Sequence, residues 1–317
     1  MKVSILIPVY GVERYIERCA RSLMEQSYHD IEYVFVNDCT PDNSIQVLSS
    51  IVEQYPNRKS QVHIINHETN KGLAAARQTA IDASTGDAIM FVDSDDYIKT
   101  NTVECLVEVM KSSHVDVVDG GLSVVINGVK KEDYLPLHLS IEAYVKTVLC
   151  QSLDTNRVVG RLFNRNIFTD NSIKFMQGVD YGEDFSVTPR VLAHASRGWV
   201  DECFYYYCSD NPESYTNNIS TKNAISFFKA QQIVGSFFCS DASLRNYRFA
   251  VEMGWVNAWR FARRFHVDKD LAKQHFKMEP THPVTRFLTF LMNSHIPYSL
   301  VNFLYKSVRT IFLKSVR

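Results

Sequence analysis

The sequence predicts an α/β fold: a mostly parallel central sheet with helices on both faces, followed by a helical C-terminal region. Three observations carry this. Apolar, β-branched runs of strand length recur through the first 120 residues. Between them stand segments whose apolar residues fall at helical spacing. The strand-length runs are apolar throughout rather than alternating, as strands covered on both faces require.

Taken in order, Val3–Val9 is the first strand, and Glu13–Gln26 carries Tyr15, Ile16, Cys19, Leu23 and Met24 at helical intervals. Ile31–Val36 reads as a second strand, Ser44–Val52 as a helix, and Val62–Ile65 as a third strand. Leu73–Ala83 is an alanine-rich helix, Ala88–Val92 a fourth strand, Thr102–Met110 a helix and Val115–Val118 extended. From about Asn211 the character changes, and Ser226–Cys239 and Arg248–Phe265 are helical segments rich in aromatics. A chain of 317 residues, at about 150 residues per domain, is expected to form two parts, 1–215 and 216–317.

Composition sets bounds on function. Hydrophobic residues make up 45% and charged residues 22% of the chain, enough apolar material to bury a core. A formal net charge of −1 gives no global field to recruit nucleic acid. The seven cysteines are odd in number and scattered, with no CxxC pair to suggest zinc or a redox centre, so reduced thiols in a cytoplasmic protein are expected. The apolar run at the N-terminus is too short for a signal peptide or a membrane span. No GxGxxG follows the first strand and no GxxxxGK[ST] occurs, which removes support from dinucleotide and P-loop readings.

Ligands of open α/β sheets bind outside the carboxyl ends of the strands. The first strand ends in Pro8-Val9-Tyr10, the second in Asn37-Asp38 and the fourth in Asp93-Ser94-Asp95-Asp96. Carboxylates this close repel one another unless a cation sits among them, and hard oxygen ligands suit Mn²⁺ or Mg²⁺ bridged to substrate phosphates. A solvated acidic turn with Asp96 capping the next helix is the competing reading, and the strand-end position favours metal. Asp38 can accept hydrogen bonds from a base or ribose, or close an Asx turn. Tyr10 offers a flat ring for stacking, and Pro8 stiffens the turn that presents it. Asn70-Lys71-Gly72 opens a helix whose N-terminus favours phosphate, and Arg77 is placed to pair with a diphosphate or with Asp38. In Gly182-Glu183-Asp184, one carboxylate can act as a general base, or both can complement a helix dipole.

Together these residues resemble the bacterial family 2 glycosyltransferases, which have the GT-A fold. The resemblance runs through Pro8-Val9-Tyr10 with Glu13, Asn37–Ser44, Asn70-Lys71-Gly72 with Ala76-Arg77, Gly86-Asp87, Phe91–Asp96 and Gly182-Glu183-Asp184, over roughly residues 1–215. It implies an inverting enzyme, of hexosyl- or N-acetylhexosaminyltransferase type. Such an enzyme moves a sugar from a nucleotide-diphosphate donor, commonly a UDP-sugar, to a saccharide or lipid-linked acceptor in cell-surface polysaccharide synthesis. By the same resemblance Pro8, Val9, Tyr10, Glu13, Asp38, Asn70, Gly72, Arg77, Asp93 and Ser94 bind the nucleotide sugar, Asp95 with Asp93 holds Mn²⁺ or Mg²⁺, and Asp184 is the catalytic base. A nucleotide-sugar-binding relative without turnover is the alternative, and the presence of Asp95 and Asp184 speaks against it. The sequence departs from the family pattern at Asn37, Cys39 and Gln78. It departs again at Cys208, where many members carry a basic residue that contacts the pyrophosphate.

After Glu279 there is no acidic residue, while Arg286, Lys306, Arg309, Lys314 and Arg317 remain, and Leu300, Val301, Leu304, Val308, Ile311 and Phe312 share a helical face. A basic amphipathic helix over 298–317 is therefore expected, either lying peripherally at the cytoplasmic face of the inner membrane or docked on the core.

Overall fold

The computed structural model describes residues 1–150, 155–209, 220–275, 279–294 and 296–316. In chain order the elements are β1 (Val3–Val9), α1 (Ile16–Met24), β2 (Ile31–Asn37), α2 (Ser44–Val52), α3 (Pro56–Lys59), β3 (Val62–Asn66), α4 (Leu73–Ala83), β4 (Ala88–Phe91), β5 (Tyr97–Ile98) and α5 (Thr102–Ser113). They continue with β6 (Val117–Ile126), β7 (Val129–Tyr134), α6 (Ile141–Leu149), β8 (Arg161–Asn164), α7 (Asn166–Asp170), α8 (Glu183–Leu192), β9 (Arg197–Cys208), α9 (Thr221–Ser240), α10 (Arg248–Arg264), α11 (Lys269–His275), α12 (Pro283–Asn293) and α13 (Tyr298–Val316).

The chain forms two compact units: Met1–His138 with Val158–Gly178 and His194–Asn217, and Leu139–Arg157 with Val179–Ala193 and Asn218–Arg317. The division expected at residue 215 falls in 210–219 and, like Arg317, lies outside the described residues. Two segments from the middle of the chain, one containing Glu183 and Asp184, fold with the C-terminal helices.

In the first unit the described strands form one sheet in the order β3-β2-β1-β4-β8-β6-β9-β5, with β7 paired to β6. β1 to β4 are parallel, as their apolar runs predict. Beyond β4 the sheet is mixed, since β8 runs antiparallel to both β4 and β6 while β9 is parallel to β6. Every residue of β1 is buried, and α1 turns Ile16, Cys19, Ala20, Leu23 and Met24 inward. Small residues on α4 (Ala74, Ala76, Ala80) bring that helix close to β1 and β2. The register aligns Val9 with Asn37 and Asn37 with Asn66, so the carboxyl ends of β1, β2 and β3 reach one edge together with the chain leaving β4.

At the opposite, amino end of these strands, buried Glu32 ties three chain segments. Its carboxylate accepts from Ser4 Oγ (2.5 Å), Thr85 N (2.5 Å) and Thr85 Oγ1 (2.7 Å), and pairs with Lys2 Nζ at 2.5 Å. Gly86 closes this turn, where an added Cβ would lie 2.6 Å from Ser4 Oγ. A cleft of about 490 Å³, lined by Gly86, Asp87, Asp116 and Arg165 among others, opens at this end, away from the acids that leave β4.

The second unit is helical. Gly235 lets α9 approach α10, since a Cβ there would sit 2.9 Å from Trp255 Nε1. Buried Glu252 of α10 accepts from Thr281 N (3.0 Å), His282 N (3.1 Å) and Thr285 Oγ1, and so caps the start of α12. α13 buries Val301 and Tyr305, and its Phe312 meets Phe249 of α10 edge-on at 4.7 Å. Of the expected apolar face, Val301 is buried and Phe312 packs on Phe249, while Leu300 and Ile311 stay exposed, as does neighbouring Phe303. Among the described residues no helix is long and apolar enough to cross a membrane.

Burial pushes the Glu32 carboxyl upward, but the hydrogen bonds from Lys2, Ser4 and Thr85 outweigh it and bring its pKa from 4.5 to about 2. Its folded value lies below its unfolded one, so its contribution of about 3 kcal/mol is complete above pH 4.5 and disappears as pH falls towards 2. Glu32→Gln is expected to lower unfolding free energy by about 2–3 kcal/mol at pH 7, measured by urea denaturation. Across pH 4.5 to 2 the gap between wild type and variant should close.

Candidate active site

The rim at the carboxyl ends of β1, β2 and β4 is built from the turn Asp93-Ser94-Asp95-Asp96. Each acid has a different environment. The Asp93 side chain is 28% exposed and its Oδ1 accepts from Arg77 Nη2 at 2.8 Å. Arg77 is buried at 2%, with its guanidinium 5.8 Å from the Phe175 ring centroid. The sequence offers Arg77 a diphosphate or Asp38 as partner; in the structure it pairs with Asp93. Asp95 is half-buried and hydrogen-bonded or charge-paired within the fold. Ser94 is buried between the two.

Asp96 does not cap the following helix, whose N-cap position is Asn101. It is fully buried and accepts from Tyr205 Oη at 2.6 Å and Cys208 N at 2.7 Å, both on β9. Tyr205 Oη in turn accepts from Asp93 N at 3.1 Å, so one hydroxyl braces both ends of the acidic turn. Burial, with the charges of Asp95 and Asp93 added, pushes the Asp96 carboxyl well above the usual carboxylate range, against the pull of the two hydrogen bonds from β9. The sequence held a partial signal for this bracing in the run Tyr205-Tyr206-Tyr207, but not its register against β4.

Asp38 stands at the end of β2 and is enclosed. Its Oδ1 accepts from Lys71 N (2.9 Å) and meets His67 Nδ1 at 2.6 Å, while its Oδ2 accepts from Gly72 N (2.8 Å). His67 Nε2 reaches Thr79 Oγ1 of α4 at 2.9 Å. Asp38 thus positions the Asn70-Lys71-Gly72 turn, whose Gly72 needs its φ of 90° to start α4. Asn70 Oδ1 adds a bond to Gly72 N at 3.1 Å. His67 was not anticipated from sequence.

Pro8 and Val9 are buried at the end of β1, and Tyr10 beyond them is 50% exposed, its ring open for stacking. Glu13 accepts from Asn43 N (3.1 Å) and Nδ2 (3.2 Å), tying the start of α1 to that of α2. Of the departures in the second strand's loop, Asn37 finds a physical reason. The Asn37 amide both donates to Asn66 Oδ1 (2.8 Å) and accepts from Thr40 N (2.9 Å), a pairing a carboxylate could not complete. Cys39 sits at φ 57°, a backbone region that favours glycine.

Asp184 lies in the second unit, half-buried in the first turn of α8 after Gly182, which adopts φ 86°. An added Cβ at Gly182 would come 2.8 Å from Phe227 Cδ2 of α9, so this turn is both left-handed and tightly packed. Glu183 and Asp184 both stand where the positive end of a helix dipole favours acids.

For a divalent cation, Asp93 and Asp95 supply hard oxygens, and among the described residues no group of three His, Cys, Asp or Glu side chains is arranged to hold one alone. Two carboxylates fit an ion that takes its remaining ligands from substrate phosphates and water, the habit of Mg²⁺-type sites.

The sequence profile described as Glycosyl transferase family 2 matches residues 4–170, more than half of the chain. The chain belongs to this family. Among relatives of this family 2 chain, the uncharacterized glycosyltransferase EpsJ of Bacillus subtilis (strain 168) is 33% identical over 223 residues, covering 68% of this chain and 62% of EpsJ. The poly(ribitol-phosphate) beta-N-acetylglucosaminyltransferase TarS of Staphylococcus aureus (strain MW2) is 29% identical over 211 residues, 65% of this chain and 35% of TarS. These matches span less than two thirds of either relative. The crystal structure of S. aureus TarS 1–349 in complex with UDP-GlcNAc superposes with a TM-score of 0.63 at 21% identity, covering 98% of this chain and 92% of that one. The fold is GT-A, with its acidic turn after β4 at the carboxyl rim.

Asp38→Ala is expected to destabilise the protein by about 2–4 kcal/mol, because two buried backbone N–H groups and His67 lose their acceptor together. The urea midpoint measures this. An unchanged midpoint would show that Asp38 does not hold the 70–72 turn.

Proposed function

We propose that this family 2 chain is an inverting glycosyltransferase. It transfers a sugar from a UDP-sugar, with an N-acetylhexosamine favoured, to a saccharide or lipid-linked acceptor in cell-surface polysaccharide synthesis. The observation that carries the reading is the pair Asp93 and Asp95, presented after β4 beside the Pro8-Val9-Tyr10 end of neighbouring β1. A base-sized aromatic ring and a pair of carboxylates at one rim suit a nucleoside diphosphate. Relatives named as an N-acetylglucosaminyltransferase and a fold neighbour holding UDP-GlcNAc support the choice of donor.

In this proposal Tyr10 stacks on the base, with Pro8 and Val9 shaping its edge. The turn held by Asp38 offers the N-terminus of α4 to the donor, helped by Asn70, Gly72 and Glu13. Asp93, oriented by Arg77, and Asp95 would hold Mn²⁺ or Mg²⁺, with Ser94 between them. Once bound, the ion supplies Lewis-acid neutralisation of the diphosphate. Asp184 accepts the proton of the acceptor hydroxyl as its oxygen bonds to the anomeric carbon. The bond from that carbon to the phosphate oxygen breaks on the opposite side, the nucleoside diphosphate leaves with the electron pair, and the configuration inverts.

The exposed part of α13 supports peripheral membrane contact. Phe303 (64% exposed) and Ile311 (69%) stand with Lys306 and Lys314, and α12 adds Phe287 and Phe290. Apolar side chains interleaved with lysines suit an anionic lipid surface, which takes the rings into its headgroup boundary and pairs with the charges.

Asp184→Asn is expected to bind UDP-GlcNAc as wild type does while transfer falls by about 10²–10⁴-fold, measured by calorimetry and by product formation on a saccharide acceptor. Retained transfer would remove Asp184 from the role of base, and a product of retained configuration by NMR would overturn inversion. Full-length protein is expected to co-sediment with phosphatidylglycerol vesicles but not with pure phosphatidylcholine, and a Phe303→Glu/Ile311→Glu variant should stay in the supernatant. Equal sedimentation of that variant would contradict membrane contact through α13.

A further inference from the structure

Arg18 of α1 reaches the acidic rim and is incompletely used there. Its Nη2 donates to the Asp95 carbonyl oxygen at 3.1 Å and to Cys208 Sγ at 2.8 Å. The guanidinium carbon lies 4.7 Å from the Tyr97 ring centroid, and Tyr97 stacks on Tyr206 at 4.6 Å with 9° between the rings. Nε of Arg18 is buried and makes no hydrogen bond. Among the described residues no carboxylate pairs with Arg18, although Asp95, whose backbone it touches, is one of three acids in the turn.

A guanidinium carries five donors and no acceptor. Here it meets one carbonyl and one sulfur, and sulfur is a weak acceptor. The fork is nevertheless held rigidly, by its face on Tyr97 and by the turn, so little side-chain freedom remains to be lost on binding an anion. Its neighbour Arg77 is already neutralised by Asp93. A cation fixed in orientation, short of acceptors and without a counter-charge is suited to a dianionic group, and a planar fork matches phosphate oxygens in bidentate fashion.

We propose that Arg18 binds the diphosphate of the nucleotide donor, supplying from α1 the positive charge that position 208, a cysteine, does not provide. This rests on the reading of the rim as a nucleotide-sugar site and deepens it by naming the residue that recognises the phosphates. Cys208 acts as a placeholder whose sulfur occupies one guanidinium N–H until a phosphoryl oxygen replaces it. Arg18 then remains beside the nucleoside diphosphate after the sugar has left, when that group's negative charge is greatest.

The test is calorimetric titration of the full chain with UDP and, separately, with uridine, both with Mn²⁺ present. Arg18→Gln is expected to weaken UDP by about 10- to 100-fold while uridine affinity stays within about twofold, because only the phosphates lose a charged hydrogen-bond donor. Arg18→Gln/Cys208→Arg is expected to recover most of the lost UDP affinity, since the cation returns at the adjoining position. Unchanged UDP affinity in Arg18→Gln overturns the proposal. An equal loss for UDP and uridine overturns it as well, because Arg18 would then only buttress the turn. Wild type that binds none of UDP, GDP and dTDP defeats the nucleotide-sugar reading itself, and the proposal with it, a result distinct from either outcome in the variant.

Discussion

Three carboxylates within four residues repel one another, and the first unit is arranged around keeping them together at the end of β4. Asp93 is held by the buried Arg77 guanidinium. Asp96 is drawn inward by the Tyr205 hydroxyl and the Cys208 N–H. Asp95 is half-buried, with Arg18 on its backbone carbonyl. The repulsion is divided rather than removed: one acid is paired with a guanidinium and one is buried against β9. On the proposed function, the acids of this rim suit a diphosphate accompanied by a divalent cation better than a diphosphate alone.

The same logic of fixing the site from beneath recurs on β2. Asp38 does not face outward; it accepts from two backbone N–H groups and meets a histidine, and so determines the shape of the turn that starts α4. The exposed chemistry of the site is therefore carried by few groups, Tyr10, Asp93 and Asp95 chief among them. Buried polar side chains behind them set their positions. At the far end of the strands, Glu32 performs the equivalent structural task for the loop that enters β4.

Much of this was legible in the sequence where the signal is local. Ser44–Val52 and Leu73–Ala83 were bounded correctly because their periodicity and flanking turn residues agree, and α1 shows the anticipated inward face. The acids after β4 were readable because a strand-length apolar run ends directly in them. What could not be read depends on distant pairing. β8 is four residues long and contains Arg161, whose buried partner Asp119 lies 42 residues earlier, so no local pattern announces it. Arg18 looks like one more solvent-facing residue of an amphipathic helix; its environment is made by Cys208, 190 residues later. For the same reason a cap for the next helix was only the competing reading of Asp96, and its burial against β9 went unread, since nothing near it in sequence foretells Tyr205. Nor does chain order tell that Glu183 and Asp184 fold with the C-terminal helices.

The central claim is that the acids after β4 bind the donor through a divalent cation. The most direct measurement is the affinity for UDP-GlcNAc by calorimetry, first with Mn²⁺ and then in excess EDTA, repeated with Asp95→Asn. The account predicts that chelation weakens wild-type binding by at least about tenfold, and that the variant binds weakly and indifferently to Mn²⁺. Equal donor affinity for wild type in Mn²⁺ and in EDTA would contradict it.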